Sequence, residues 1–125
     1  MTENEIGESV LGAAIKVHSA LGPGLLESVY ESCLAHELGK QGLNFQRQLS
    51  LPVEYDGQRI DAGFRIDILV DEKVVVEVKA VEKPVPVHGM QLLTYLKLGG
   101  FKLGYLLNFN IEHMRDGIKR VVNGL

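Results

Sequence analysis

FRIDILVDEKVVVEVKA, residues 64–80, contains two apolar runs that each carry an acidic residue in their interior. Asp67 interrupts the first run and Glu77 the second, and Lys79 follows two residues after Glu77. A strand that is apolar on both faces belongs in the middle of a sheet. A carboxylate at such a position is costly unless it is paired or binds a cation. The two runs therefore predict neighbouring central strands with charged side chains among apolar ones.

Glu77 and Lys79 are predicted to project from the same face, because alternate residues of a strand do so. Whether Asp67 joins them depends on the turn between the two strands. Asp67 and Glu77 are an even number of residues apart. They stand opposite each other only if the connecting loop has an odd length or one strand carries a bulge. A strict two-residue turn at Asp71-Glu72 would put them on opposite faces.

Apolar residues at helical spacing lie on both sides of this segment. The spacing predicts helices over residues 5–21, 25–40 and 87–98. Gly22-Pro23-Gly24 separates the first two helices, and Gly99-Gly100 ends the third.

Strand patterns fill the rest of the chain. From residue 43 the apolar period changes to two, and Asp56-Gly57 marks a hairpin. Together with residues 64–80, this pattern predicts a meander of three antiparallel strands. Residues 102–109 are predicted as a buried strand, and the tail, 111–125, fits either an edge strand or a short helix. The order α-α-β-β-β-α-β plus a C-terminal tail predicts an α/β (α+β) fold, in which helices flank a mixed β-sheet.

Composition and charge narrow the class of protein. The length of 125 residues suits a single domain, residues 1–125. The net charge of −3 argues against a polycationic coat for nucleic acid but leaves room for a local basic groove. Cys33 is the only cysteine, so no intrachain disulfide is expected. The chain has no signal-like N-terminus and no apolar run of membrane-spanning length, so we expect a cytoplasmic protein without a membrane partner.

Asp67, Glu77 and Lys79 suit metal-dependent hydrolysis of a phosphodiester. Carboxylate oxygens hold Mg²⁺, which keeps several waters and can bind a phosphate oxygen. The metal offsets developing charge and lowers the pKa of a bound water. A lysine ammonium can position that water or stabilise transition-state charge. The alternative is a structural ion pair between Lys79 and one of the two acids, because short patterns of this kind are common by chance.

Further motifs extend the pattern over nearly the whole chain. The further motifs are G-x-x-E-x-x-Y at residues 24–30 and Gln91-Leu92-Leu93-Thr94-Tyr95. They flank the two strand motifs, Asp67 and Glu77-Val78-Lys79. In this order and spacing they resemble the GxxExxY family of the PD-(D/E)xK nuclease-like superfamily. The resemblance runs from Ile6 to about Val122. It departs from the superfamily pattern at Ile66, where a proline often precedes the first aspartate.

The resemblance implies a restriction-endonuclease-like core and a role for each motif residue. It implies Mg²⁺ or Mn²⁺ as the cofactor. The implied metal ligands are Asp67 and Glu77, joined by Glu27, and the implied catalytic residues are Lys79, Gln91 and Tyr95. Two of these residues have simpler explanations. Glu27 would complement the dipole at the start of a helix, and Tyr95 would pack between helix and sheet.

These implications predict a metal-dependent nuclease that hydrolyses phosphodiester bonds of DNA, or of RNA. The alternative is a nuclease-fold module without turnover that binds nucleic acid or a protein partner. A third interpretation is a subunit whose substrate groove forms only in an oligomer. An exposed edge strand near the C-terminus would support a homodimer.

Overall fold

The computed structural model describes the whole chain, Met1–Leu125, as three α-helices and one five-stranded mixed sheet. The helices are α1 (Glu3–Leu21), α2 (Glu27–Lys40) and α3 (Pro86–Gly99). The strands are β1 (Phe45–Tyr55), β2 (Gln58–Val70), β3 (Val74–Lys79), β4 (Leu103–Asn108) and β5 (Ile118–Val122). The predicted fold class and element order are confirmed. The C-terminal tail forms a short 3-10 turn, Met114–Gly117, followed by the edge strand β5.

The five strands lie side by side in sequence order, from β1 to β5. β3 and β4 are parallel because α3 connects them, whereas the other neighbouring pairs are antiparallel. The predicted meander is therefore β1–β2–β3. β3 lies in the centre of the sheet, and every residue of this strand before Lys79 is buried. A charged side chain on β3 has little water around it, so the neighbouring protein groups determine how stable its charge is.

Helices cover both faces of the sheet. On one face, α1 and α2 pack over a cluster that includes Leu34 of α2 and Val76 of β3. On the other face, Leu92 and Leu96 of α3 pack over a cluster that includes Val75. Since alternate residues of a strand share a face, the side chains that follow Val75 at every second position also point towards α3. None of the three helices combines the length and the apolar character that crossing a lipid bilayer requires.

The G-x-x-E-x-x-Y segment forms the turn between α1 and α2 and the first turn of α2. Gly24 has a φ of 104°, a conformation that side chains strongly disfavour. Tyr30 is fully buried, and its hydroxyl donates to the Gly22 carbonyl at 2.5 Å and accepts from the Leu25 amide at 3.1 Å. The tyrosine therefore closes the loop that determines where α2 begins, at Glu27.

Tyr30→Phe is expected to lower the free energy of unfolding by about 1–3 kcal/mol, because the Gly22 carbonyl and the Leu25 amide lose their partner. Urea denaturation followed by circular dichroism measures the change. Tyr55→Phe is the matched control, since the side chain of Tyr55 is 73% exposed. It should change stability by less than about 0.5 kcal/mol. Equal losses in the two variants would contradict the role of the Tyr30 hydroxyl.

Candidate active site

A three-residue turn joins β2 to β3. The last pair before the turn is Val70 with Val74, which leaves Asp71–Lys73 as the connection. The loop therefore has an odd length, as the sequence condition required. Extending the register of the ladder places Asp67 opposite Glu77. Glu77 points towards α3 with Val75, and a hydrogen bond with the Asp67 side chain contributes to the raised pKa of Glu77, so the two carboxyl groups lie close together.

Asp67 is held by donors on two sides. Its Oδ2 accepts a hydrogen bond from the Val78 amide at 2.8 Å, and its Oδ1 lies 3.4 Å from Nε2 of Gln48. The ladder between β2 and β3 ends with the pair of Ile68 and Val76. Beyond this pair, the Val78 amide donates to the Asp67 carboxylate instead of to a backbone carbonyl of β2. The backbone of β3 thereby fixes the side chain of Asp67.

Glu77 is a buried carboxylate without a hydrogen-bond partner for one of its oxygens. Its residue is only 6% exposed, and its Oε1 has no donor within reach. Burial, with the neighbouring Asp67 carboxylate, raises the pKa of Glu77 to about 9, and the Lys79 ammonium opposes this rise. In the absence of a cation, Glu77 therefore holds a proton at neutral pH. This is the environment that a carboxylate needs in order to gain most from a bound positive charge.

Lys79 and Tyr95 complete the surroundings of the two acids. Lys79 shares a strand face with Glu77, is half-buried, and makes no ion pair within 4.0 Å. Tyr95 stacks on Phe64 with ring centroids 4.8 Å apart. Burial, followed by the charges of Glu77 and Asp67, raises the pKa of Tyr95. Its phenol stays protonated at neutral pH and can donate a hydrogen bond.

Glu27 and Gln91 lie less close to the acid pair. Glu27 is exposed, and its Oε1 accepts from the Ala80 amide at 3.2 Å, just beyond the end of β3. Gln91 is exposed one helical turn before Tyr95, and its side chain makes no hydrogen bond within the chain. No group of three or more His, Cys, Asp or Glu side chains is arranged so that it could hold a metal ion. The structure brings Asp67 and Glu77 together, and it does not gather Glu27 with them.

Three residues of a hydrogen-bond chain that ends at Asp67 were not indicated by the sequence motifs. Glu31 of α2 is buried and accepts from both Arg47 and Gln48 of β1. Gln48 in turn reaches Asp67. One signal was available, because Glu31 lies four residues after Glu27 and so shares a helix face with it. Nothing in the spacing of Arg47 and Gln48 distinguished them from ordinary strand residues.

A pocket of about 270 Å³ opens beside Lys79 at the ends of β3 and β4. Its basic lining residues are Lys79, His88 and Lys119, and its acidic lining residue is Asp116. Lys119 passes so close to Gly89 of α3 that a Cβ at residue 89 would lie 2.5 Å from its Nζ. Lys79 and Lys119 give this pocket positive charge, although the whole chain is acidic.

The model of one protein family matches residues 4–121, a segment that contains every side chain described above as part of the site. That family is described as the PD-(D/E)XK nuclease superfamily. The chain belongs to the PD-(D/E)XK nuclease superfamily. No curated protein and no solved structure matches the chain. Nucleases of this superfamily generally use divalent metal ions.

Asp67 and Glu77 fit the divalent ion of a PD-(D/E)XK nuclease. The unpartnered Oε1 of Glu77 is buried beside a second carboxylate, and a cation would offset the repulsion between them. Mg²⁺ is commonly held by one or two protein carboxylates and keeps several waters. Two acids are therefore enough for this class of ion.

Glu77→Gln is expected to stabilise the metal-free protein at pH 8. The pKa of Glu77 rises on folding from 4.5 to about 9. Below pH 4.5 this side chain is protonated in both the folded and the unfolded states, and its full contribution to stability is present. As the pH rises from 4.5 towards 9, the unfolded state releases the proton while the folded state keeps it, so this stability is lost. A glutamine stays neutral throughout. We expect the variant to exceed the wild type by on the order of 2 kcal/mol at pH 8, with the difference shrinking towards pH 4.5.

Urea denaturation at a series of pH values, in buffers with EDTA, measures this difference. Glu54→Gln removes a carboxylate at an exposed position on β1 and controls for net charge. Adding Mn²⁺ at pH 8 in buffer without EDTA should raise the stability of the wild type and leave that of Glu77→Gln unchanged, because binding to the folded state stabilises it. A metal-free Glu77→Gln protein that is less stable than the wild type at pH 8 would contradict the assignment.

Proposed function

We propose that this protein is a divalent-metal-dependent nuclease that hydrolyses phosphodiester bonds of DNA, or of RNA. The observation that carries the proposal is the buried Oε1 of Glu77, which has no partner and lies beside the Asp67 carboxylate. The alternative of a structural ion pair is disfavoured, because Lys79 forms no ion pair with either acid. Membership of a nuclease superfamily adds support from the whole length of the chain.

In this proposal each side chain of the candidate site has a role. Asp67 and Glu77 would hold Mg²⁺ or Mn²⁺, and Glu27 would contact the ion directly or through a water. The bound ion would supply positive charge at the phosphate and a water of lowered pKa. Lys79, which shares a face with Glu77, would orient the attacking water and stabilise the charge that develops on the phosphate. Tyr95, a protonated phenol at neutral pH, would donate a hydrogen bond, and Gln91 would contact Lys79 or the phosphate.

Local positive charge supports a nucleic-acid substrate. Lys79 and Lys119 line the pocket at the ends of β3 and β4, where cationic side chains would contact phosphates on either side of the bond that is cut. A net charge of −3 implies that binding depends on this patch rather than on the whole surface. We also propose that the free edge of β5 pairs with a second copy of the chain to form a homodimer, which light scattering would detect.

Cleavage of plasmid DNA and of labelled single-stranded RNA with Mg²⁺ or Mn²⁺ tests the proposed activity. Asp67→Asn and Lys79→Ala are each expected to lower the cleavage rate by at least about 100-fold. EDTA should abolish cleavage by the wild type. The substrate that is cut identifies the class of nucleic acid.

Two variants serve as matched controls for this assay. Asp61→Asn changes an exposed aspartate on the same strand as Asp67, and Lys97→Ala removes an exposed lysine of α3. Both should cut at the wild-type rate. Equal cleavage by all variants would assign the activity to a contaminant and overturn the proposal. No cleavage by folded wild type, with Mn²⁺ bound, would indicate instead a nuclease-fold module that binds without turnover.

A further inference from the structure

Gln48 bridges two carboxylates that come from different elements of the fold. Its Nε2 lies 2.5 Å from Oε1 of Glu31 on α2 and 3.4 Å from Oδ1 of Asp67 on β2. An amide nitrogen carries two hydrogens, so one group can donate to both acids. The longer bond is the one to Asp67. Such bonds in active sites are often long in the free enzyme and shorten when the site is loaded.

Glu31 is also held by an arginine of β1, Arg47. Its Oε2 accepts a hydrogen bond from Nε of Arg47 at 2.9 Å and forms an ion pair with Nη2 of the same arginine at 2.9 Å, and the residue is only 6% exposed. The paired guanidinium satisfies the charge of this buried acid. Oε1 of Glu31 is then free to orient the amide of Gln48. The amide is held from the α2 side, independently of Asp67.

The backbone of Gln48 adopts a conformation that is unfavourable for glutamine. Its φ is 51°, in the left-handed region, although the residue lies inside β1. Arg47 pairs with Ile68 and Leu49 pairs with Ile66, so Gln48 lies across from Asp67, but the two do not form a regular ladder pair. Strained residues of this kind persist where the surrounding structure requires them, and they cluster at functional sites.

We propose that Gln48 is a positioning residue that fixes the carboxylate of Asp67 for metal binding, with Glu31 and Arg47 orienting its amide. The inference rests on the proposed metal site of Asp67 and Glu77. The Val78 amide occupies one lone pair of Oδ2, and the Gln48 amide occupies one lone pair of Oδ1. Each oxygen accepts two bonds, so both keep a lone pair for a cation. The two donors stop the carboxylate from rotating away from Glu77.

A purely structural role for Gln48 would predict that metal affinity falls only when stability falls. Gln48→Gly and Gln48→Met separate the two effects. Both variants lose the amide, but glycine tolerates a positive φ and methionine does not. We therefore expect Gln48→Gly to melt a few degrees above Gln48→Met. Ala62→Gly is the control, because Ala62 also has a positive φ, 54°, on the exposed part of β2.

Titration calorimetry of the full chain with Mn²⁺ tests the proposal, with melting temperatures measured on the same samples. We expect both Gln48 variants to lose about tenfold in Mn²⁺ affinity, the usual effect of removing a group that orients a metal ligand. The loss should be similar in the two variants despite their different stabilities. Ala62→Gly should bind Mn²⁺ as the wild type does.

The outcomes distinguish this inference from the proposed function. If Asp67→Asn loses Mn²⁺ affinity while both Gln48 variants keep that of the wild type, the positioning role is overturned and the metal site stands. If affinity falls in Gln48→Met but not in Gln48→Gly, the backbone of β1 is responsible and the amide is not. If the wild type binds no Mn²⁺, both the inference and the proposed function are overturned.

Discussion

The burial of two carboxyl groups side by side on adjacent strands is the constraint that organises this molecule. Asp67 and Glu77 face each other across β2 and β3, and burial leaves Glu77 protonated at neutral pH unless positive charge is supplied. A domain of this size has a small net stability, so such an arrangement is costly to keep without a use. The apolar strands provide the low dielectric in which a bound cation would interact strongly with both acids.

Several parts of the fold are needed to maintain this pair. The odd-length turn sets the register that places Glu77 across from Asp67. The end of the β2–β3 ladder frees the Val78 amide to hold Asp67. The Tyr30 hydroxyl closes the loop before α2, which fixes where Glu27 and Glu31 lie along the sheet. The residues of the G-x-x-E-x-x-Y motif therefore contribute through position more than through direct contact with the acids.

The sequence indicated the elements and the acid pair, because both depend on local periodicity. An acid inside an apolar run is conspicuous, which is how Asp67 and Glu77 were found. The length of the turn was not predictable, since it depends on two non-glycine residues, Asp71 and Glu72, that adopt positive φ. The position of Gln48 was not predictable either, because Gln48 is also a non-glycine residue with a positive φ. Whether the tail forms a strand is decided by pairing with β4, which local spacing does not report.

A crystal structure with Mn²⁺, located by its anomalous scattering, tests the central claim most directly. The account predicts one strong peak between the carboxylates of Asp67 and Glu77, with oxygen distances near about 2.1 Å, as small divalent ions require. Lys79 should lie on the same side of the sheet as the ion. A crystal soaked at saturating Mn²⁺ in which these two carboxylates share no ion, and in which the ion binds elsewhere, would contradict the account.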